Sequence, residues 1–279
     1  MPAVYDVAET VSKQGQARFR QGTVVALLLL LIAALFGLVG KPWAGWLSAV
    51  AFGGSIVATG LGQFRSAEDD WYDGRAVAES AKTLTWKYAV RGQPFDVGDA
   101  EATSTYERLV GEVLGELRAL RSTVEAPNER HDLRPLRQFR EAELPDRQAV
   151  YREQRLGGQR DWYRRRGGEH RRTARTWGSV AVVLQLGGLA AAALKGLDVI
   201  ELDLLSPFAT AAAGALAWLA AGDYQKTARA YGLTTLELDM TLEAASQITS
   251  EEEWARFVAD AEQTMSREHT TWLARRRGS

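Results

Sequence analysis

The 279-residue chain contains no cysteine and only three histidines. Without a thiol there is no cysteine nucleophile, no thiolate metal centre and no disulfide framework. His131, His170 and His269 stand far apart, and none has a carboxylate or second histidine three or four residues on. Phosphate-binding signatures are missing as well: there is no G-x-x-x-x-G-K-[ST] loop and no G-x-G-x-x-G following a strand. No catalytic residue, metal site or cofactor is therefore expected, and the chain reads as a non-enzyme. Nor does one sign of charge dominate, since 34 Lys+Arg stand against 35 Asp+Glu. Bulk nucleic acid is excluded as a partner, because holding its phosphates takes a basic face. Strand-like alternation is absent, which makes the fold all-α.

Charge is also missing locally, and that absence is the most informative one. Residues 21–40, 42–64, 176–194 and 204–222 contain no Asp, Glu, Lys or Arg. Apolar runs of about 18 or more residues without charge have the length of a membrane-spanning helix. The strongest, from Thr23 to Val39, includes five consecutive leucines, Leu27–Leu31, and exceeds the apolar core of a signal peptide. It turns at Lys41-Pro42 and returns through Trp46 to Phe64. The second pair, Trp177–Leu194 and Leu204–Ala221, is richer in Ala and Gly, with Trp177 and Trp218 where interfacial aromatics belong. The expected architecture is an all-α membrane protein of two transmembrane helical hairpins, four spans in all, continued by long cytoplasmic helices.

Fifteen basic residues lie within about 20 residues of the span ends on one side, against Lys41 and Lys195 on the other. The positive-inside rule then places both termini and the centre in the cytoplasm. The domains are a cytoplasmic N-terminal segment at 1–22, hairpin 1 at 23–64, a cytoplasmic helical region at 65–175, hairpin 2 at 176–222 and C-terminal cytoplasmic helices at 223–279.

In the polar region the second span is expected to run on as one long helix to about Val90. Ser104 and Glu107 form a capping box opening a helix that buries Tyr106, Leu109, Val110, Val113, Leu114, Leu117 and Leu120. Residues 126–147, with Pro127, Pro135 and Pro145, read as a flexible linker. The Gly-Gly pairs at 157–158 and 167–168 are expected kinks. Ser250 and Glu253 form a second capping box, before a last helix with Trp254, Phe257, Val258, Ala261 and Met265 on one face. Asp70-Trp71-Tyr72 and Asp161-Trp162-Tyr163 echo one another, as duplication of a two-span unit would produce.

The densest mixture of aromatic and charged side chains is Trp71, Tyr72, Arg75, Glu79, Lys82, Trp86 and Tyr88, to which the echo adds Trp162, Tyr163 and Arg164. Arginines beside aromatics suit phosphate contacts and base stacking, so this is a candidate ligand or assembly seam. The plainer reading is a charged helix in a bundle, with Glu79 paired to Arg75 or Lys82. No ionisable residue lies inside a span, which disfavours an ion-coupled transporter. Gln185 and Thr210 are the pore-lining candidates, Gln185 alternatively as an interhelical hydrogen bond. Two short hairpins enclose little by themselves, so conduction would need a homo-oligomer.

The run Arg75-Ala76-Val77-Ala78-Glu79-Ser80-Ala81-Lys82-Thr83, followed by Trp86-Lys87-Tyr88 and Pro94-Phe95, resembles the signature of the SLATT family. These are two-span effector domains associated with SMODS nucleotidyltransferases and SLOG sensors in bacterial conflict systems. The second half resembles another branch of that family. The likeness there rests on Tyr151, Arg155, Trp162, Tyr163 and the arginines after them, on Tyr224, Thr227, Ala228 and Tyr231, and on Glu268 and Trp272 at the end. The resemblance spans about residues 20–275 as two fused units. It implies an antiphage, cell-suicide effector that assembles in the bacterial inner membrane and forms a pore there. Membrane lipids surround it, and the trigger is a nucleotide signal or a sensor protein. With no sensor or nucleotidyltransferase domain attached, that trigger is expected from another chain or directly on the cytoplasmic helices. The alternative is a non-conducting membrane-anchored sensor or scaffold that recruits other defence proteins.

Overall fold

The computed structural model describes the backbone of residues 1, 3–60, 63–120 and 132–277, and their side chains except at 3, 60, 63–70, 116–120 and 266–277. Every regular element among these residues is a helix. In order they are α1 (Ala3–Gly37), α2 (Pro42–Gly60), α3 (Gln63–Ala89), α4 (Asp99–Leu120), α5 (Arg134–Arg140) and α6 (Leu144–Val150). A π-helix, Tyr151–Gly157, leads into α7 (Gly158–Gly196), then α8 (Leu205–Gly222), α9 (Tyr224–Ala245) and α10 (Glu251–Arg277). The chain forms two compact units. One comprises Met1–Gln16, Ala67–Trp162 and Thr234–Ser279; the other comprises Ala17–Ser66 and Tyr163–Leu233.

The second unit holds the apolar helices. Three helical stretches are long and apolar enough to cross a membrane: Val4–Gly37, Leu144–Gly196 and Leu205–Ala245. α2 falls short of them because Pro42, Trp43, Trp46 and its glycines dilute an otherwise apolar run. Gly40 takes a positive φ of 56° between α1 and α2, a conformation open to a residue without Cβ. α2 then runs antiparallel to α1: Ser48 Oγ donates to the Ala33 carbonyl at 2.8 Å, and Gly54 faces Leu29. α7 and α8 are likewise antiparallel. Phe208 fills the space over Gly187 and Gly188, where an added Cβ at Gly187 would come within 2.7 Å of the ring. Trp177 and Trp218 meet at 6.3 Å. Asp223, with φ 41°, breaks the helix between α8 and α9. Small residues supply the contact faces, among them Ala33, Ala44, Ala181, Ala191, Ala212 and Ala215, all buried. Large apolar side chains point outward instead, with Val50 69% and Leu189 67% exposed. Such an inverted surface suits a hydrocarbon solvent rather than water.

The first unit is built in the usual way. Val4 and Ala8 of α1 pack on Val77, Ala78 and Ala81 of α3 and Val113 of α4, so the start of the chain is a core helix rather than a tail. Tyr88, Phe95, Ala102, Tyr106 and Leu133 form a second cluster. The apolar stripe of α4 is on the buried side as far as its side chains are described; Leu117 and Leu120 lie outside that range. α4 itself begins at Asp99, five residues before the expected cap, and Ala102 N–H bonds back to the Gly98 carbonyl at 2.9 Å. Ser104 is thus mid-helix, and the capping pattern there was coincidental. At α10 the cap is real: the Glu253 N–H meets Ser250 Oγ at 3.3 Å.

Two further expectations are revised. Of the segment read as a flexible linker, residues 126–131 lie outside the described residues, whereas 134–140 and 144–150 are helices α5 and α6. Arginines from both helices tie them down, and Leu133 and Leu136 pack α5 on the Tyr88–Phe95 cluster. The glycine pairs do not act as simple kinks. Gly157 closes the π-helix, where a Cβ would lie 3.1 Å from the Arg152 carbonyl, and α7 passes through Gly167–Gly168 unbroken. Continuity of the second apolar run with α3 turns on residues 61–62, outside the described residues; α3 itself ends at Ala89, as expected.

Candidate functional site

The end of α3 exposes the carbonyls that every helix terminus leaves unbonded, and buried cations collect there. Arg140 from α5, 1% exposed, donates from Nη1 to the Tyr88 carbonyl at 3.0 Å and from Nη2 to the Val97 carbonyl at 2.8 Å. Its Nε reaches Asp99 Oδ1 at 2.8 Å. Arg147 from α6 donates to the carbonyls of Val90 at 3.1 Å and Ala142 at 2.9 Å, and pairs with Glu251. The Trp254 indole N–H meets the same Val90 carbonyl at 2.9 Å. The turn after α3 is pinned a third time where the Gln93 N–H bonds the Ala255 carbonyl at 3.0 Å.

The third arginine, Arg155, lies in the π-helix. Its Nε and Nη2 grip the Glu262 carboxylate of α10 at 2.8 and 2.6 Å, with both partners buried. Glu262 accepts two further bonds, from the Tyr151 hydroxyl at 3.0 Å and from Thr83 Oγ1 of α3 at 2.9 Å. Burial and the carboxylate push the Tyr151 hydroxyl well above its usual range, so it stays a donor. Burial disfavours the Arg155 cation, but Glu262 more than offsets this and the guanidinium titrates above its ordinary value. Lys82 and Lys87, on the same stretch of α3, are pushed below the ordinary lysine value by desolvation. For Lys82, Glu79 opposes the shift and Arg155 adds to it; for Lys87, Glu262 opposes it. Trp86 sits edge-on to Tyr151 at 5.9 Å, and Tyr151 edge-on to Trp254 at 5.5 Å.

The structure brings part of the proposed seam together. Arg75 lies over the Trp162 ring at 5.4 Å, Trp71 and Tyr72 stack at 4.6 Å, and Lys82 and Trp86 flank the Arg155–Glu262 pair. Two members belong elsewhere. Tyr88 is fully buried, stacked on Tyr106 at 4.7 Å and bonded to Thr103 Oγ1 at 2.9 Å, which makes it a core residue. Tyr163 is a member of the apolar unit, where it meets Tyr231 at 5.2 Å. Arg164 is exposed. The residues that organise the site, Arg140, Arg147, Trp254 and Glu262, were absent from the seam. Glu262 carried a signal: it falls four residues after Val258 and eight after Trp254, on the apolar face of α10. Among the described residues no group of acids and histidines could hold a metal ion.

Gln185 and Thr210 are in the apolar unit. Thr210 Oγ1 bonds its own helix, at the Ser206 carbonyl, 2.9 Å away. The Gln185 side chain is exposed between outward-facing Val182 and Leu189 and makes no hydrogen bond among the described residues.

Residues 2–148 match the family model described as SMODS and SLOG-associating 2TM effector domain 3, and residues 151–272 match effector domain 1 of the same series. No curated protein and no solved structure matches the chain. The junction between the matched halves falls where α6 meets the π-helix. Contacts along α3 and just beyond its end cross it: Thr83 to Glu262, Val90 to Trp254, Arg147 to Glu251, and Arg75 to Trp162.

Proposed function

The chain belongs to the SLATT family, as two effector units fused in one polypeptide, and on that premise we propose a conflict effector that oligomerises in the bacterial inner membrane and forms or gates a pore. α2 acts as the fourth span beside the three helical stretches long and apolar enough to cross. Its Trp46, Val50, Ile56 and Val57 face outward, and it packs antiparallel on α1. Both termini lie in the cytoplasm, with the basic flanks. The observation that carries assembly is Gln185, a polar side chain on an apolar outer face without an intrachain partner among the described residues. In hydrocarbon such a group is satisfied by an amide from a neighbouring helix or by a water-filled lumen. The cluster at the end of α3 is the element on which a nucleotide signal or sensor protein acts, since side chains from both halves of the chain converge on it.

Induced expression in bacteria, read with a voltage-sensitive dye and propidium uptake, tests the pore. Depolarisation that Gln185→Leu abolishes, at equal membrane levels, supports it. Growth arrest with full membrane potential and dye exclusion would instead mark a membrane-anchored scaffold that recruits other defence proteins.

A further inference from the structure

The apolar unit contains one feature that the pore reading leaves unused. Between α7 and α9 lies a groove of about 510 Å³ floored by Ala174, Ala228 and Gly232 and rimmed by Arg171, Arg175 and Arg229. Ala174 and Ala228 are buried, and the three guanidiniums are on exposed residues. Two other arginines of α7 are neutralised: Arg160 bonds Asp161 and Asp239, and Arg166 bonds Glu169 at 2.9 Å. Arg171, Arg175 and Arg229 make no ion pair or side-chain hydrogen bond among the described residues. Gln225 adds an amide donor to the same rim. The groove thus presents three unneutralised cations over a floor of small residues.

Its level along α7 identifies the anion. The charge-free run begins at Thr176, directly after Arg175, and the next residue is Trp177, paired with Trp218. At about 1.5 Å of rise per residue, the rim lies within one or two helical turns of that aromatic pair. Aromatic pairs of this kind mark the headgroup level, and the cytoplasmic leaflet there is negatively charged. Guanidinium binds phosphate oxygens in bidentate fashion, and a bare floor leaves room for the headgroup.

We propose that the Arg171–Arg175–Arg229 groove binds the phosphate of an anionic phospholipid headgroup. The inference rests on the membrane reading above. It gives the protein a lipid requirement: the headgroup bridges α7 and α9, beside the Asp223 break where α8 gives way to α9.

Full-length protein in neutral detergent, given equal phosphatidylglycerol and phosphatidylcholine, is to be measured by native mass spectrometry for retained lipid. A preference for phosphatidylglycerol of about tenfold is expected in the natural protein. It should fall to near unity in Arg171→Gln/Arg175→Gln/Arg229→Gln and survive in Arg172→Gln, which leaves the groove intact. Equal retention of the two lipids by the natural protein, or an undiminished preference in the triple variant, overturns the proposal. If inorganic phosphate at a few millimolar displaces phosphatidylglycerol from the natural protein, the groove is a site for a soluble phosphate and the lipid assignment falls. A carbonate wash of expressing membranes separates the two readings. Protein released to the supernatant defeats the membrane reading itself, whereas retained protein without lipid preference defeats only the groove.

Discussion

Arg155 and Glu262, 107 residues apart, face each other as a bidentate pair of 2.8 and 2.6 Å with both side chains buried. The carboxylate is also bonded by Tyr151 and by Thr83, so its lone pairs are shared among a π-helix, α3 and α10. Buried ions of this sort add little net stability when compared with apolar replacements. Removing one partner is different, because it strands the other charge without water.

Glu262→Ala should therefore destabilise the protein by about 3–5 kcal/mol, a fall in Tm on the order of 10 °C. The paired replacement Arg155→Met with Glu262→Leu should recover most of that loss. Thermal unfolding of the full chain in detergent reads both. A Glu262→Ala variant with unchanged Tm would mean that the pair is hydrated rather than buried.

Arg140→Ala should cost about 2–3 kcal/mol, the penalty for leaving buried carbonyls without donors. The carbonyls are those of Tyr88 and Val97. Arg140→Lys should not rescue it, since one ammonium cannot reach three acceptors held by a planar fork. Arg134, fully exposed and paired with Asp132, provides the contrast: Arg134→Ala should leave Tm where it is. Equal effects at the two positions would refute the assignment of Arg140 as the cap of α3.

Gly74→Ala should loosen the beginning of α1. Its Cβ would fall 2.8 Å from both the Ala8 carbonyl oxygen and the Ser12 nitrogen, which are backbone atoms that cannot rotate away. Ser12 Oγ also bonds the Trp71 carbonyl at 2.9 Å across this contact. Alanine is the better helix former, so propensity alone predicts a gain of about 1 kcal/mol. Trypsin should cut faster at exposed Lys13 in Gly74→Ala and at the usual rate in Gly111→Ala, where nothing among the described residues lies within 4 Å. Identical cleavage in both variants would contradict the close approach.

His170 should make stability fall on mild acidification. Its ring packs on Tyr224 at 5.4 Å and Tyr231 at 5.6 Å, and its Nδ1 is buried without a bond among the described residues. Desolvation lowers its pKa below 6.5; Arg166 acts the same way, and Glu169 opposes them. The fold thus prefers the neutral ring. The contribution is complete above pH 6.5, shrinks as pH drops from 6.5 to the folded value, and is constant below it. Thermal scans near pH 7.5 and 5.5 should show a smaller acid-induced drop in His170→Phe than in the natural protein. An equal drop in both would place the titration elsewhere.

Legibility differed by residue for identifiable reasons. The Ser250–Glu253 cap and the 3/4 stripe of α4 are local patterns, satisfied by neighbours along one helix, and both are present. The roles of Arg140 and Arg147 were hidden because a buried arginine looks like a surface arginine until its carbonyl acceptors are in place. A proline-dotted stretch around them then reads as linker. Tyr88 misled in the opposite sense. It sits among charged residues in the chain, yet the turn after α3 brings Phe95 back onto its ring and α4 adds Tyr106.

The chain by itself determined that the protein is all-helical, that its apolar helices are segregated from its charged ones, and that it consists of two SLATT units in tandem. Periodicity, the absence of charge and a short motif are properties of contiguous residues. Only the tertiary structure decided that neither tandem unit is a compact body. Each compact body takes helices from both halves, because helices apolar all round pack on one another and amphipathic helices bury their apolar faces together, whichever half supplies them. The contacts that enforce this, Arg155 with Glu262, Arg147 with Glu251 and Trp254 with Val90, join residues about a hundred or more positions apart. No window of sequence could have paired them.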